Sequence, residues 1–483
     1  MGTLFGILGS SLEAIEAFQS GLNVSQNNVS NASTPGYASQ IATYEALPFS
    51  PSGGLTGGVE AGPTGSTQSE YANQAVRNEL SAQGNYTAQS TALSSIQGLF
   101  DVSGQTGVVG DLNTLFQSFS AWAATPGSSS AQQQVLTSAQ ELAQGFQSTA
   151  ASLSQTTVQL NQQIGSTVQQ INQIGAQIQA DNVAILQNPD PAGGADSGVS
   201  AQLEASIESL SQLTNASVTY APDGTATVLV GGQTPLVIGA QENAIQSNFS
   251  GTKAGSTYPG GVPNVQILDS NGNDITSQIT EGSLGGLLDV RNVVLPGLQG
   301  NGDQAGALNQ LAQQVADRVN GILTSASTPS GAAGIPLFTY DSTSPVDVAS
   351  TLAVNPGITA STLAPATAGP PAVSNGAALA LSNLGSSTAA GDEIDGQTIL
   401  QFLSSTATEV GQQASDAQTG QNLHTQLLTQ AQAVQTQISG VNLNTEAVNV
   451  EELQQGYQAA EKMVGVVDGL AQTLLDMIPA VSA

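Results

Sequence analysis

Few side chains in this sequence could carry chemistry. His424 is the only histidine, in the run Q-N-L-H-T-Q-L-L, and there is no cysteine. An imidazole is the commonest general base near neutral pH, but it needs a reacting group or an orienting partner within hydrogen-bond reach. Within a polar helical run, His424 reads as a surface or half-buried helix residue. One histidine and no thiolate also fall short of the ligand set of a transition-metal site. Asp269-Ser-Asn-Gly-Asn-Asp274 has the oxygens of a calcium loop, yet an EF-hand needs Gly at its sixth position and Glu at its twelfth. Asp274 and Thr280 stand there, so the stretch reads as a β-turn. Pro296-Gly-Leu-Gln-Gly-Asn-Gly302 lacks the Lys-Ser/Thr that follows the glycines of a phosphate loop. Glu141 and Glu204 lie singly on expected helices as solvated charges, and Trp122 reads as packed core. The expectation is no catalytic, cofactor-binding or metal site.

The charge balance narrows the partners. Five Lys and Arg stand against 35 Asp and Glu, a formal net charge of −30. Arg77, Lys253, Arg291, Arg318 and Lys462 are scattered, which leaves no electrostatic footprint for nucleic acid or an anionic membrane. One reading is an acid setting, where protonated carboxylates leave few cations to repel one another. No stretch approaches about 18 uninterrupted apolar residues, so no membrane insertion is expected. Met1 to Gly9 lacks a basic n-region, and the expectation is export without a cleaved leader. A chain of 483 residues has room for about three domains. With 4% aromatic and 8% charged residues, it suits helical bundles and small β modules rather than a dense enzyme core.

With no reactive site to position, the elements that organise the chain are its two ends. Phe5, Leu8, Leu12, Ile15, Leu22 and Val29 fall on one 3-4-3-4 register, with Gln19 and Gln26 in the remaining seam positions. That spacing draws a narrow apolar stripe down a helix of about 45 Å. The helix ends at Thr34-Pro35-Gly36-Tyr37, where proline disfavours a helical residue before it and glycine releases the chain into a turn. From Val450 the same register collects Leu453, Tyr457, Ala460, Val464, Val467, Ala471, Leu474 and Ile478, and Pro479 stops it. Two such stripes predict that the terminal helices pair, within one molecule or among neighbours. Gly21, Asn23, Asn27, Asn28 and Asn31 are weak helix formers, which favours late ordering of the arms.

Between the ends, residues 48–66 are rich in Gly, Pro and Ser and read as an extended connector. A helix is expected over about Glu70–Phe100, with Tyr71, Leu80 and Leu93 as anchors, and another over Val108–Trp122, capped by Asp111. The longest candidate runs from Ser130 to about Leu186. Leu153, Leu160, Ile164, Ile171, Ile174, Ile178 and Ile185 keep heptad spacing there, interrupted by Thr157, Thr167 and Asp181. Asn188-Pro189-Asp190-Pro191 ends it. Alternation then takes over: S-V-T-Y, the turn Ala221-Pro222-Asp223-Gly224 and T-A-T-V-L-V predict a hairpin, and Pro235–Ile238, Val265–Leu268 and Ile275 extend the strand signal. Helix returns over Leu284–Leu298 and Gln304–Ser325, the latter with Leu308, Leu311, Val315, Val319 and Ile322 on one face. Residues 326–375 read as loop-like, and a last helix over Thr398–Gly440 leads through Val441-Asn442-Leu443-Asn444 into the C-terminal arm.

Asn27-Asn28-Val29-Ser30-Asn31-Ala32-Ser33-Thr34-Pro35-Gly36-Tyr37 resembles the signature shared by rod, hook and hook-associated proteins of the bacterial flagellar axial family. Ser439-Gly440-Val441-Asn442-Leu443-Asn444-Thr445-Glu446, with Glu452-Leu-Gln-Gln-Gly-Tyr-Gln-Ala-Ala460, is similar to the end of the hook-associated protein 1 family. Leu210-Ser-Gln-Leu-Thr-Asn215, Gly282-Ser-Leu-Gly-Gly-Leu-Leu-Asp-Val-Arg291 and Leu352-Ala-Val-Asn-Pro356 agree. Ala38, Ser39 and Gln40 stand where the family usually has a basic residue.

The resemblance implies a structural, non-enzymatic adaptor in a ring of like subunits at the hook–filament junction, outside the cell. The implied partners are the flagellar hook protein, the second hook–filament junction protein and the flagellar export apparatus. An export chaperone is implied on the C-terminal helix, at Leu453, Tyr457, Val464, Val467 and Leu474. The expected fold is mainly α with an inserted β domain, an elongated multidomain chain whose N- and C-terminal helices pair as a coiled coil. Residues 1–50 and 440–483 would form the terminal assembly domain, 51–212 and 283–439 a helical bundle domain, and 213–282 a small β-rich domain. The assembly residues are the N-terminal stripe with Asn27, Asn28, Asn31, Pro35, Gly36 and Tyr37, and the C-terminal seam through Ile478. Another axial protein (a hook or rod subunit), a secreted adhesin-like surface protein and a peptidoglycan hydrolase are the rival readings.

Overall fold

The computed structural model describes residues 2–50, 55–100, 107–187, 196–250, 257–258, 260–367 and 373–476. In chain order, helix α1 (Gly2–Asn31) leads into strands β1 (Gln40–Ile41), β2 (Tyr44–Ser50), β3 (Leu55–Ala61) and β4 (Gly65–Ser66). Helices α2 (Glu70–Gln97), α3 (Gly107–Ala124), α4 (Ser129–Gln187) and α5 (Ser197–Leu213) follow. Then come β5 (Ala216–Tyr220), β6 (Ala226–Val230), β7 (Thr234–Ile238), β8 (Gln241–Glu242), β9 (Gln246–Asn248) and β10 (Gln266–Leu268). Helices α6 (Gly282–Asp289), α7 (Leu295–Gln299) and α8 (Ala307–Thr324) precede the short pieces β11 (Ala326–Ser327), β12 (Phe338–Thr339), α9 (Val348–Thr351), β13 (Ala353–Val354) and β14 (Ala366–Thr367). The chain closes with α10 (Gly376–Asn383), α11 (Ile399–Ser439) and α12 (Leu443–Asp476). The expectation of a mainly α fold with small β regions holds.

Two compact units divide the chain. One takes Met1–Ser81, Ile171–Ala244 and His424–Ala483, the other Ala82–Gln170 and Ile245–Leu423. The strands grouped as one module over 213–282 therefore fall on both sides of the boundary at Ala244.

In the first unit, β5, β6, β7 and β8 form an antiparallel sheet in that order. The hairpin read from the sequence pairs Ser217 with Leu229 and Tyr220 with Ala226. Ala226, Val228 and Val230 turn one face of β6 inward, as period-two alternation requires. Asn182 of α4 binds this sheet: its amide donates to the carbonyls of Ala226 and Gly239, and its oxygen accepts from the Ala226 nitrogen, each at 2.8 Å. Residues 48–66 are not a plain connector. Leu55–Ala61 forms β3, paired with β2 from Tyr44↔Ala61 to Ser50↔Leu55. The glycines that suggested a linker instead let the strand approach α1, since a Cβ on Gly58 would lie 3.0 Å from the Ser10 Cβ.

In the second unit, Trp122 is fully buried, as expected, and its indole N–H donates to the Pro126 carbonyl. Asp111 is not a cap: the helix starts at Gly107, so Asp111 stands in its second turn, with its carboxyl against Gly145 of α4. Burial, then the Glu141 charge, raises its pKa. Leu308, Leu311, Val315 and Val319 of α8 are buried as read. Residues 326–375 are packed rather than loop-like where described. Phe338 pairs with Val354 and Ala326 with Thr367, and Leu337, Leu352 and Leu363 enter the core. Between α6 and α7 the helix widens into a π turn over Val290–Val294, which carries Arg291 inward. Arg291 is fully buried, donates to Asn161 and to the Pro263 carbonyl, and has its pKa pushed down by burial to about 10.

The long helix expected over Ser130–Leu186 spans Ser129–Gln187, and Leu153, Leu160, Ile164, Ile171, Ile178 and Ile185 are buried along it. So are Thr157, Thr167 and Asp181. They do not interrupt the stripe, because each hydroxyl or carboxyl finds a partner, Thr157 in Leu153 and Gln299, and Asp181 in Gln177. On α2 the anchors are Ala72, Val76 and Leu93, whereas Tyr71 is 81% exposed. Asn188-Pro189-Asp190-Pro191, Lys253, Ile478 and Pro479 lie outside the described residues.

Candidate assembly site

Helices α1 and α12 pair within one molecule. A Cβ on Gly456 would lie 2.7 Å from the Phe18 ring, one on Gly21 would lie 2.9 Å from Leu453 Cδ2, and Asn28 bonds Glu446. The partner numbers fall as α1 advances, so the helices run antiparallel. On α12 the inward face is the register read from the sequence: Ala460 and Val467 are buried, Leu453, Tyr457, Val464 and Ala471 half-buried, and Leu474 is exposed.

On α1 the inward face is different. Ser11, Ala17, Gly21, Val24, Ser25 and Asn28 are buried, while Phe5 is 69%, Leu12 47% and Val29 46% exposed. Leu8, Ile15 and Leu22 are half-buried. The expected seam therefore sits one residue, about 100°, from the face α1 turns toward its own chain. The cause is size. Small residues let two backbones approach, so the Ser-Ala-Gly face packs, and the bulkier stripe is left on the flank. Its signal was present in the sequence as small residues at 11, 14, 21 and 25, in the same spacing one residue earlier.

The N-terminal motif anchors this pair. Asn28, 1% exposed, uses its full hydrogen-bonding capacity. Its amide donates to the Gln40 carbonyl and to Glu446 Oε1, both at 2.9 Å. Its oxygen accepts from the Tyr37 hydroxyl at 2.9 Å and from the Gln40 nitrogen at 2.8 Å. Burial raises the Tyr37 pKa, the Ser197 hydroxyl opposes the shift, and Glu446 adds to it. Gly36 has φ +74°, and a Cβ there would lie 2.3 Å from the Ala201 carbonyl oxygen of α5. Only glycine fits this turn as it is seated. Asn27 and Pro35 are exposed, and Asn31 donates back to the Asn27 carbonyl. Ser39, Thr67 and Ser439 knot three chain segments: the Ser39 nitrogen donates to the Ser439 carbonyl, the Thr67 hydroxyl to the Ser39 carbonyl, and the Ser439 hydroxyl to the Thr67 carbonyl. Asn442 then caps α12 by accepting from the Asn444 and Thr445 nitrogens.

Beneath the turn lies a buried polar cluster that the sequence reading passed over. Glu204 is not solvated but buried. It accepts from Arg77 at 2.8 Å and from the Tyr220 hydroxyl at 2.6 Å, and Arg77 also pairs with Glu70. Burial opposes the Arg77 charge, but Glu204, Tyr220 and Glu70 raise its pKa overall. Burial, then the Glu204 charge and hydrogen bond, raises that of Tyr220. Glu208 accepts from Gln435, and burial is the main cause of its raised pKa. Each carboxyl is held by neighbours in a structural network. His424 is half-buried, with Nδ1 2.8 Å from Glu79 Oε2. Among the described residues, no group of three or more His, Asp or Glu could hold a metal ion, and no helix is long and apolar enough to cross a membrane.

Terminal helices paired antiparallel, a turn motif joined to them by hydrogen bonds, and an apolar flank left uncovered define a helical, structural type of chain. A model of the flagellar hook-associated protein FlgK helical domain matches residues 93–338, just over half of the chain, and one of the flagellar basal body rod FlgEFG protein C-terminal matches residues 432–477. The chain belongs to the FlgK family of flagellar hook-associated proteins, structural components of the flagellum at the hook–filament junction. It is 24% identical to flagellar hook-associated protein 1 of Bacillus subtilis (strain 168), over 99% of both chains. Its fold is similar to that of the flagellar hook junction protein FlgK from Burkholderia pseudomallei, with a TM-score of 0.63 at 16% identity, over 76% of this chain and all of the other.

Proposed function

We propose that α1 and α12 are the segments by which this subunit joins its neighbours in a ring, as a non-enzymatic adaptor outside the cell between the flagellar hook protein and a second junction protein. One observation carries the reading. After α1 and α12 have paired, Phe5 and Leu12 on one helix and Met463, Val466, Leu470 and Leu474 on the other remain exposed. The α12 residues are spaced 3-4-4 and form a single stripe. Burying each such side chain is worth roughly 1.5–3 kcal/mol, which favours a neighbour in that place. The functional division we propose assigns residues 1–50 with 440–483 to assembly, 51–212 with 283–439 to a helical body, and 213–282 to a β-rich part.

The chaperone surface is the neighbouring face of α12, turned about 100° from the stripe. Leu453, Tyr457, Val464 and Val467 face α1, so an export chaperone that holds this seam by helix-in-groove recognition must do so before the terminal helices pair. Passage through the export apparatus in an unfolded state fits that order.

The test replaces Val466 and Leu470 with serine in the full-length chain. Helicity and elution volume of the isolated protein are expected to stay unchanged, while cells carrying the variant lose filaments and swimming. Normal filaments and swimming would overturn the assembly role of the stripe.

A further inference from the structure

Divalent sulfur, as thiolate or thioether, is the part of a protein that peroxides oxidise most readily. This chain has no cysteine and three methionines, Met1, Met463 and Met477. Met1 and Met477 lie outside the described residues, so Met463 is the one sulfur atom among the described ones. It stands on α12 with half of its surface exposed. A Cβ added at Gly465 or Gly469 would meet nothing within 4 Å, so the helix surface beside it is open. Met463 also begins the exposed stripe that Val466, Leu470 and Leu474 continue. A thioether is apolar and polarisable and packs well among such side chains. A sulfoxide is polar, and its oxygen needs a hydrogen-bond donor once water is gone. Val, Leu and Leu supply none from their side chains.

We propose that Met463 is a modification site, at which a peroxide converts the thioether of the free subunit to a sulfoxide and makes the α12 stripe unfit for docking. The sulfur lone pair attacks one peroxide oxygen. An S–O bond forms, the O–O bond breaks, and hydrogen peroxide leaves as water. The thioether gives up two electrons and the peroxide takes them, so no further reactant is required. The fold itself is spared, because the α12 residues buried against α1 are Ala460 and Val467, on the neighbouring face. Once a neighbouring subunit covers the stripe, the same sulfur is shielded, and the site is open before assembly alone. The reactivity of Met463 stands on the geometry of one chain. Its effect on docking rests on the assembly reading above.

The test has a chemical arm and a cellular one. Hydrogen peroxide is added to the isolated full-length chain and to purified flagella that retain the hook–filament junction, and each methionine is followed by peptide mass spectrometry. In the isolated chain Met463 is expected to gain one oxygen with helicity unchanged, and in the assembled flagellum to do so about tenfold more slowly. In cells, Met463→Gln places a polar side chain of similar length where the sulfoxide would be, and filaments and swimming should fall. Met463→Leu stays apolar and cannot be oxidised, and both should persist. Unmodified Met463 in the isolated chain, equal rates in the two forms, loss of helicity on oxidation, or normal filaments with Met463→Gln would each overturn the proposal. The Val466 and Leu470 serine variant tests the stripe without oxidation. Lost filaments there beside normal filaments in Met463→Gln would sink this inference and leave the assembly reading standing.

Discussion

Replacing Gly36 with alanine would put a methyl group 2.3 Å from the Ala201 carbonyl oxygen and 3.0 Å from the Ala205 nitrogen. Both are backbone atoms of α5, which cannot rotate aside as a side chain could. Gly36 also has φ +74°, a left-handed conformation that costs an L-residue about 1–2 kcal/mol. Gly232, in the turn between β6 and β7, isolates this second cost, because it has φ +70° with nothing within 4 Å of a built Cβ. Alanine restricts the unfolded chain and recovers about 0.4–1 kcal/mol, so Gly232→Ala should lose no more than about 1.6 kcal/mol. Gly36→Ala must in addition lift the turn off α5, an overpacking cost of about 1–3 kcal/mol, for a total near 2–4 kcal/mol. A chain of two units need not unfold in one step, so the measurement is native-state hydrogen exchange of the α5 amides in the full-length protein. Protection there should fall by about 30- to 700-fold in Gly36→Ala, at roughly 1.4 kcal/mol per factor of ten. Equal protection in the two variants would refute the argument that the seat of the turn requires glycine.

Removing Arg77 as Arg77→Met should destabilise the first unit by about 3–5 kcal/mol, because Glu204 would keep a buried carboxyl without its cation. Urea denaturation followed by exchange of the β5–β6 amides measures it, and a loss below about 1 kcal/mol would show that the pair is dispensable. Stability should rise as pH falls from neutral. Burial raises the pKa of Asp111, Asp181, Glu208 and Asp289 above their unfolded values, so the folded chain takes up those protons first and gains on the way down. Asp223, Asp269 and Asp341 are held low by hydrogen bonds from Thr225, Asn273 and Thr343, and their contribution is lost as pH falls further through their depressed values. The melting temperature is therefore expected to peak at acid pH, near the ordinary carboxylate range of about 4–5. A maximum well above pH 5, with unfolding by pH 3, would contradict both the shifts and the acid reading of the composition.

Much of the fold was legible because it depends on local periodicity. The heptad spacing from Leu153 to Ile185 predicted α4 almost to the residue, and the alternation around Ala221-Pro222-Asp223-Gly224 predicted the β5–β6 hairpin. The C-terminal register from Leu453 to Ala471 is the face that α12 turns inward. The motif at Asn27–Tyr37 carried a resemblance to the flagellar axial proteins, and family membership bears that resemblance out.

Each helix or strand that carries its own periodic pattern is therefore settled locally, and so is the family. Tertiary structure alone decided which stripe meets which. Two 3-4 registers run down α1, one apolar and one small, and composition favours the apolar one as a seam. The chain uses the small one, because Gly21 and Gly456 let the backbones come close enough for Phe18 and Leu453 to fill the gap. The same limit hid the β3 strand among its glycines and the buried partners of Glu204. A residue's burial and its hydrogen-bond partners depend on segments hundreds of positions away, as from Asn28 to Glu446, and no local pattern encodes that distance.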